Sequence, residues 1–256
     1  MMMNNVSNFL LMSLLSITLP AHAQPIQSDS LQGNDIAILT MAQLPYGYSS
    51  NNGESTGVFY DILNEIVTLA GLNTENVITP SKRLYKLINS KTKICTLAAD
   101  TPLMLEKLDN IAATNFFIQA GILPREGIKL TDYSSLKGIT IAVPLGINID
   151  DKFHQDNSLL KVFPSQYLNA IKMLKINRVD AVAGAISTLE FLAKSAGMKS
   201  SELGKPLIFS QYNVHLFCSY NISKSTRSKL KAAVITLKSQ GKITEIINQY
   251  FNIDSR

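Results

Sequence analysis

Val214-His215-Leu216-Phe217-Cys218-Ser219-Tyr220 is the stretch on which the organisation of this chain turns. It is a short apolar run and reads as a strand. Residues 223–240 follow it with helical spacing, Leu230, Ala233, Val234 and Leu237 falling on one face. Gly241 breaks that helix, and residues 243–251 form a final short one. Upstream lie two units of similar order. The first runs strand 35–42, a Tyr-, Ser-, Asn-, Gly- and Pro-rich loop 43–56, a helix opened by Gly57-Val58-Phe59-Tyr60-Asp61 and stopped by Gly71, strand 76–79, helix 81–90 and strand 93–99. The second runs strand 139–143, a glycine turn Leu145-Gly146-Ile147-Asn148, a short strand ending at Phe163, helix 166–177, strand 179–183 and helix 188–196. Each is a β-α-β-α-β pattern, which implies a mostly parallel sheet flanked by helices. The tail adds more elements than the second unit can hold, so the economical solution returns it to the first. The expectation is therefore an α/β chain of two lobes. Lobe 1 is discontinuous, residues 34–120 plus 212–256. Lobe 2 is residues 121–211, and two strands cross between them.

The N-terminus sets the compartment. Residues 8–19 (NFLLMSLLSITL) are a short apolar run, followed by Pro20 and the small-x-small pattern Ala21-His22-Ala23 before Gln24. This reads as a cleaved secretory signal over residues 1–23, although no Lys or Arg precedes the apolar run. The run is too short to span a bilayer, which needs ~20 apolar residues. A polar leader, residues 24–34, follows. The formal net charge of +5 is spread over scattered lysines with no basic run or interleaved aromatics, so nucleic acid is not an expected partner.

Four stretches carry a resemblance. They are Gly57-Val58-Phe59-Tyr60-Asp61-Ile62-Leu63, residues 136–146 (LKGITIAVPLG), residues 177–184 (NRVDAVAG), and residues 237–251. In this order the chain resembles the bacterial extracellular solute-binding proteins of family 3, periplasmic receptors often paired with polar amino-acid importers. The resemblance implies the type II periplasmic binding fold, a small-molecule ligand, hinge closure near Gly121 and Gln211, a monomer, and either an inner-membrane ABC permease or the sensor domain of a signalling receptor as partner. It implies no cofactor. In amino-acid-binding members an Arg shortly after the Thr-Pro segment clamps the ligand carboxylate, a task that suits a planar guanidinium. An Asp after the Val-Asp-Ala strand holds the ammonium. Here Thr101-Pro102-Leu103-Met104 has no Arg and Gly184 is followed by Ala185, so a standard α-amino acid is not the expected ligand. Arg83, in Pro80-Ser81-Lys82-Arg83-Leu84, resembles an Arg of more divergent members; it is either a replacement anion site or a solvated charge on a helix face.

Ligands of open α/β lobes sit beyond the carboxyl ends of the strands, where helix N-termini offer free N–H groups. The candidate ligand residues are therefore Tyr46 and Tyr48 after the first strand, Asp100 and Thr101 after the third, Gly146 and Asn148 in the glycine turn, and Gly184 after the last strand of the second unit, with Arg83 beside them. The tyrosines serve either to stack on a ligand or to pack their own loop. Phe116 and Phe117 read as core or hinge packing, and Asp61 as a helix N-cap. In the implied fold Cys95 lies beside Cys218; the two form a disulfide, as an exported chain permits, or stay as buried thiols. After signal removal only His154 and His215 remain, far apart and without metal-ligand spacing, so no metal is expected. No G-x-S-x-G, H-E-x-x-H or P-loop is present. An enzyme on the same scaffold, such as the dehydratases of cyclic prephenate-like acids, needs a cleft acid or base, and Asp100 is the evident carboxylate.

Overall fold

One eight-stranded sheet runs through the molecule. The computed structural model describes residues 36–50 and 52–251, which belong to one compact unit. The signal sequence and leader expected over residues 1–34 lie outside the described residues. In chain order the elements are β1 (Ala37–Met41), a short pair β2 (Tyr48–Ser49) and β3 (Ser55–Thr56), α1 (Val58–Leu69), β4 (Asn76–Thr79), α2 (Ser81–Ile88), β5 (Ile94–Ala99), α3 (Pro102–Lys107) and β6 (Asp109–Pro124). Then come β7 (Thr140–Ala142), α4 (Asp151–Gln155), β8 (Leu160–Val162), α5 (Tyr167–Lys175), β9 (Ala181–Ala185), α6 (Ile186–Ser195), β10 (Leu207–Cys218), α7 (Lys224–Ser239) and α8 (Lys242–Phe251).

The strand order is β4-β1-β5-β10-β6-β9-β7-β8. β1 is parallel to β4 and β5, and β7 is parallel to β8 and β9. The two long strands β6 and β10 are antiparallel to each other, β10 also pairing antiparallel with β5 and β6 with β9. Thus β10, made near the end of the chain, sits between β5 and β6 as the first-unit strands require. Its last residues close a bridge: Cys218 stands opposite Cys95, their Cα atoms 4.1 Å apart, and their sulfurs are bonded.

Hydrophobic clusters flank each half of the sheet. In the first half, Phe59, Ile62, Leu230, Val234 and Ile246 pack α1, α7 and α8 on one face, and Leu84, Met104 and Phe217 cover the other. The α7 face is as its spacing dictates, with Leu230 and Val234 fully buried and Ile235 about half exposed. Burying each such side chain contributes roughly 1.5–3 kcal/mol. In the second half, Ile171, Leu174 and Leu189 pack α5 and α6 on one face, and Leu136, Ile149 and Phe153 lie on the other. Asp180 ties β9 to its neighbours, accepting the Thr140 amide at 2.9 Å and pairing with Arg125 at 2.7 Å. That amide first, and then Arg125 against the cost of burial, holds its carboxyl below the ordinary carboxylate range.

Four local expectations change. Strand β6 is sixteen residues long and runs through both halves, where the sequence implied a crossing near Gly121 but no strand with these bounds. Phe116 on it is buried, but Phe117 is 45% exposed and so does not pack in a core. Strand β9 extends to Ala185, so Gly184 lies inside the strand, opposite Gly121, rather than after it. Asp61 is not the cap of α1: the cap is Gly57, without a side-chain bond, and Asp61 in the first turn instead accepts the Tyr250 hydroxyl at 2.5 Å.

Candidate functional site

The loop after β1 is clamped to the start of α1. A helix begins with amides that lack intrahelical partners. Here Val58 donates to the Pro45 carbonyl at 3.0 Å, and Phe59 and Tyr60 donate to the Tyr46 carbonyl at 3.0 and 3.2 Å. The approach is so close that a Cβ on Gly57 would meet the Tyr46 carbonyl oxygen at 2.5 Å, and Gly57 has a φ of +130°. This explains why glycine opens the Gly-Val-Phe-Tyr-Asp motif: the loop backbone itself satisfies the helix start. Tyr46 is thereby held over Phe59, ring centroids 4.5 Å apart.

From this position Tyr46 reaches the other half of the molecule. Its hydroxyl accepts from Thr188 Oγ1 at 3.1 Å, in the first turn of α6, and its side chain is only 2% exposed. Burial raises the phenol above its ordinary value, partly offset by the hydroxyls of Thr188 and Ser187. Tyr48 lies beside the same helix, its ring 6.4 Å from that of Phe191. Tyr167, at the start of α5, covers Gly184 so closely that a Cβ there would meet its ring at 2.4 Å. Burial pushes the Tyr167 phenol upward as well, opposed by a hydrogen bond with the Ala185 backbone and reinforced by Tyr46.

Asp100 leaves β5 and turns to the crossing strand. Its carboxylate accepts the Asn213 amide at 2.8 Å and the Asn213 side chain at 3.0 Å, and lies 3.7 Å from His215 Nε2. Burial lowers the pKa of His215, with Asp100 opposing, so the imidazole is neutral near pH 7. Asp100 therefore anchors β5 to β10. Thr101 caps α3, its hydroxyl accepting from the Met104 amide at 3.5 Å.

The other sequence candidates stand apart. Gly146 is exposed with a φ of +81° and open space where a side chain would lie. Asn148 is exposed and buttresses α4, donating to Asp151 at 2.8 Å and accepting from the Asp150 amide at 3.2 Å. Arg83 is exposed on α2, with no acidic partner among the described residues. Among these residues no hydrogen bond or ion pair joins Arg83, Gly146 or Asn148 to Tyr46 or Asp100. The structure thus gathers Tyr46, Tyr48 and Gly184 around α6, and adds Tyr167, Thr188 and Phe191, which the sequence did not single out. The one signal for Thr188 was its place at the start of a helix after the Val-Asp-Ala strand.

No protein-family model and no curated protein sequence matches the chain. Solved structures do. The GluR0 ligand-binding core from Nostoc punctiforme, in complex with L-glutamate, matches at a TM-score of 0.65 and 18% identity, over 85% of this chain and 99% of that one. This chain has the type II periplasmic binding fold. A mutant of ArgBP from T. maritima shares that fold at a TM-score of 0.63 and 18% identity, over 85% of this chain and 95% of the other. So does a histidine kinase sensor domain with similarity to periplasmic binding proteins, at a TM-score of 0.64 and 11% identity, over 84% and 95%. The Thr188 to Tyr46 hydrogen bond joins the loop after β1 to the start of α6. No helix among the described residues is long and apolar enough to cross a membrane.

Proposed function

We propose that the chain is a periplasmic solute-binding protein that closes on a small polar or aromatic ligand and hands it to an inner-membrane ABC permease, without chemical change to the ligand. The observation that carries the reading is the contact of Tyr46 with Thr188, which joins the loop after β1 to the start of α6 across 142 residues of sequence. The halves that move are residues 34–120 plus 212–256 and residues 121–211. They turn about β6 and β10 near Gly121 and Gln211, and the chain acts as a monomer. The arginine- and glutamate-binding neighbours support a small-molecule ligand. The absence of Arg from Thr101-Pro102-Leu103-Met104, and of Asp at Ala185, argues against a standard α-amino acid. Tyr48 supplies aromatic surface beside α6, Tyr46 makes the closing contact with Thr188, and Thr101, Gly146, Asn148 and Gly184 are the remaining candidates for polar contacts. Arg83 serves as an anion contact only if closure brings α2 to the cleft. Asp100, committed to Asn213, is a poor general base, which weighs against the dehydratase alternative.

A thermal-shift screen of amino acids, amines, small organic acids and aromatic metabolites tests the reading. A saturable upward shift with one class outside the α-amino acids is expected. A shift of many degrees with an ordinary α-amino acid would refute the specificity argued here, and no shift with any class would remove the receptor reading. The sensor-domain neighbour favours a second reading, in which the same closure informs a signalling receptor. Permease and ATPase genes adjoining this one support transport; a kinase or cyclase gene supports sensing.

A further inference from the structure

A cavity of about 540 Å³ lies beside the crossing strands, walled by β6, α6 and α8, and touching β10 at Gln211. Its walls come from both halves of the sheet. Three phenylalanines line it. Phe116 and Phe251 are stacked, centroids 5.6 Å apart, and Phe117 keeps 45% of its surface exposed. Glu190, on α6, is the only ionisable side chain among the described residues lining it. The remaining polar groups are neutral, including Gln119 and Gln211, which bond to each other at 3.0 Å, and Asn115, held at a φ of +64°. A second cavity of about 680 Å³ adjoins it across Ser187, Glu190 and Phe251, and there Lys194, Lys199 and Lys205 form the charged lining with Glu190.

Aromatic faces attract a cation through the ring quadrupole, and a nearby carboxylate adds to the attraction. A pocket of this volume suits a small organic molecule. We infer that the cavity beside the crossing strands is a binding site for a small organic ammonium ion, its charge set against Glu190 and its alkyl groups against Phe116, Phe117 and Phe251. The lysines of the adjoining cavity confine the cation to the aromatic side. Because α6 and α8 belong to opposite halves, an occupant holds the two at one separation. The cavity adjoins the Tyr46–Thr188 bridge through Ser187 on α6, but its lining does not include Tyr46, and the inference does not depend on what binds at the bridge.

Isothermal titration of the purified chain with choline chloride and benzyltrimethylammonium chloride, at constant ionic strength, tests this. Neohexyl alcohol, the uncharged carbon isostere of choline, is the control. Saturable binding of both cations is expected, with the alcohol about tenfold weaker or more. Glu190→Gln and Phe117→Leu are each expected to weaken the cations by about the same factor. Phe117 is nearly half exposed, so its variant is expected to keep the parent melting temperature. Absence of saturable binding, equal binding of the alcohol, or cation binding untouched by both substitutions overturns the inference.

Discussion

Tyr46 is the residue in which the local and global arguments meet. Its carbonyl completes α1 while its hydroxyl reaches α6. Tyr46→Phe keeps the ring on Phe59 and removes the hydroxyl that meets Thr188 and Ser187, leaving the Thr188 hydroxyl buried. A loss of about 0.5–1.5 kcal/mol in urea-unfolding stability is expected, together with a larger radius of gyration in solution scattering; an unchanged value for both would deny that the contact holds the halves together. Tyr250 is a second tie. It donates to Asp61 and is met by Thr56 and the Gly57 amide. Burial first, and then Asp61, raises its phenol from 10.0 to about 12. The unfolded tyrosine ionises first, so the folded state holds the proton longer, and its contribution to stability is complete below pH 10 and lost as pH rises from 10 toward 12. Denaturation midpoints across that window are expected to fall less steeply in Asp61→Asn. Tyr46 and Tyr48 were legible from their place after the first strand. Thr188 and Tyr167 were not, because their partners are set by how the halves meet, which no local pattern encodes.

At the scale of elements, periodicity disclosed most of the helices and the buried parallel strands, since each has one clear apolar face or a short apolar core. The extent of strand β6 was hidden for a physical reason. Along Asp109–Pro124 its residues pass from one half's core through a bridging stretch exposed at Asn115, Phe117 and Gln119 to the other half's core, so no single alternation survives. The same holds for the first part of β10, where the register shifts between Ile208 and Ser210. At Gly121 a Cβ would lie 2.1 Å from the Leu207 carbonyl oxygen. Gly121→Ala is expected to destabilise the fold by roughly 1–3 kcal/mol by forcing the strands apart, read as a lower denaturation midpoint; a neutral effect would show that the crossing has slack.

For the whole molecule, the pairing of Cys95 with Cys218 encloses 123 residues of sequence separation. On the chain-entropy account a loop of this length contributes on the order of 4–5 kcal/mol. Reduction, or replacement of both cysteines by alanine, is expected to lower unfolding stability by an amount of that order, and intact mass is expected to rise by two hydrogen atoms on reduction. Ligand capture is a property of the same scale. A ligand at a hundred times its dissociation constant adds about 2.7 kcal/mol to apparent stability, so melting temperature and scattering radius are expected to respond to the same compounds, the radius falling as the halves close.

The central placement of β10 has a consequence for manufacture. A growing polypeptide emerges amino end first, yet β5 lacks its neighbour, and the Cys95 thiol its mate, until residue 218 has been made. Throughout most of synthesis the half built first has an open seam. Completion therefore arrives late and all at once, as the closing strand slots between two that have been waiting for it, so chains cut short before that point are expected to be protease-sensitive rather than half-finished receptors.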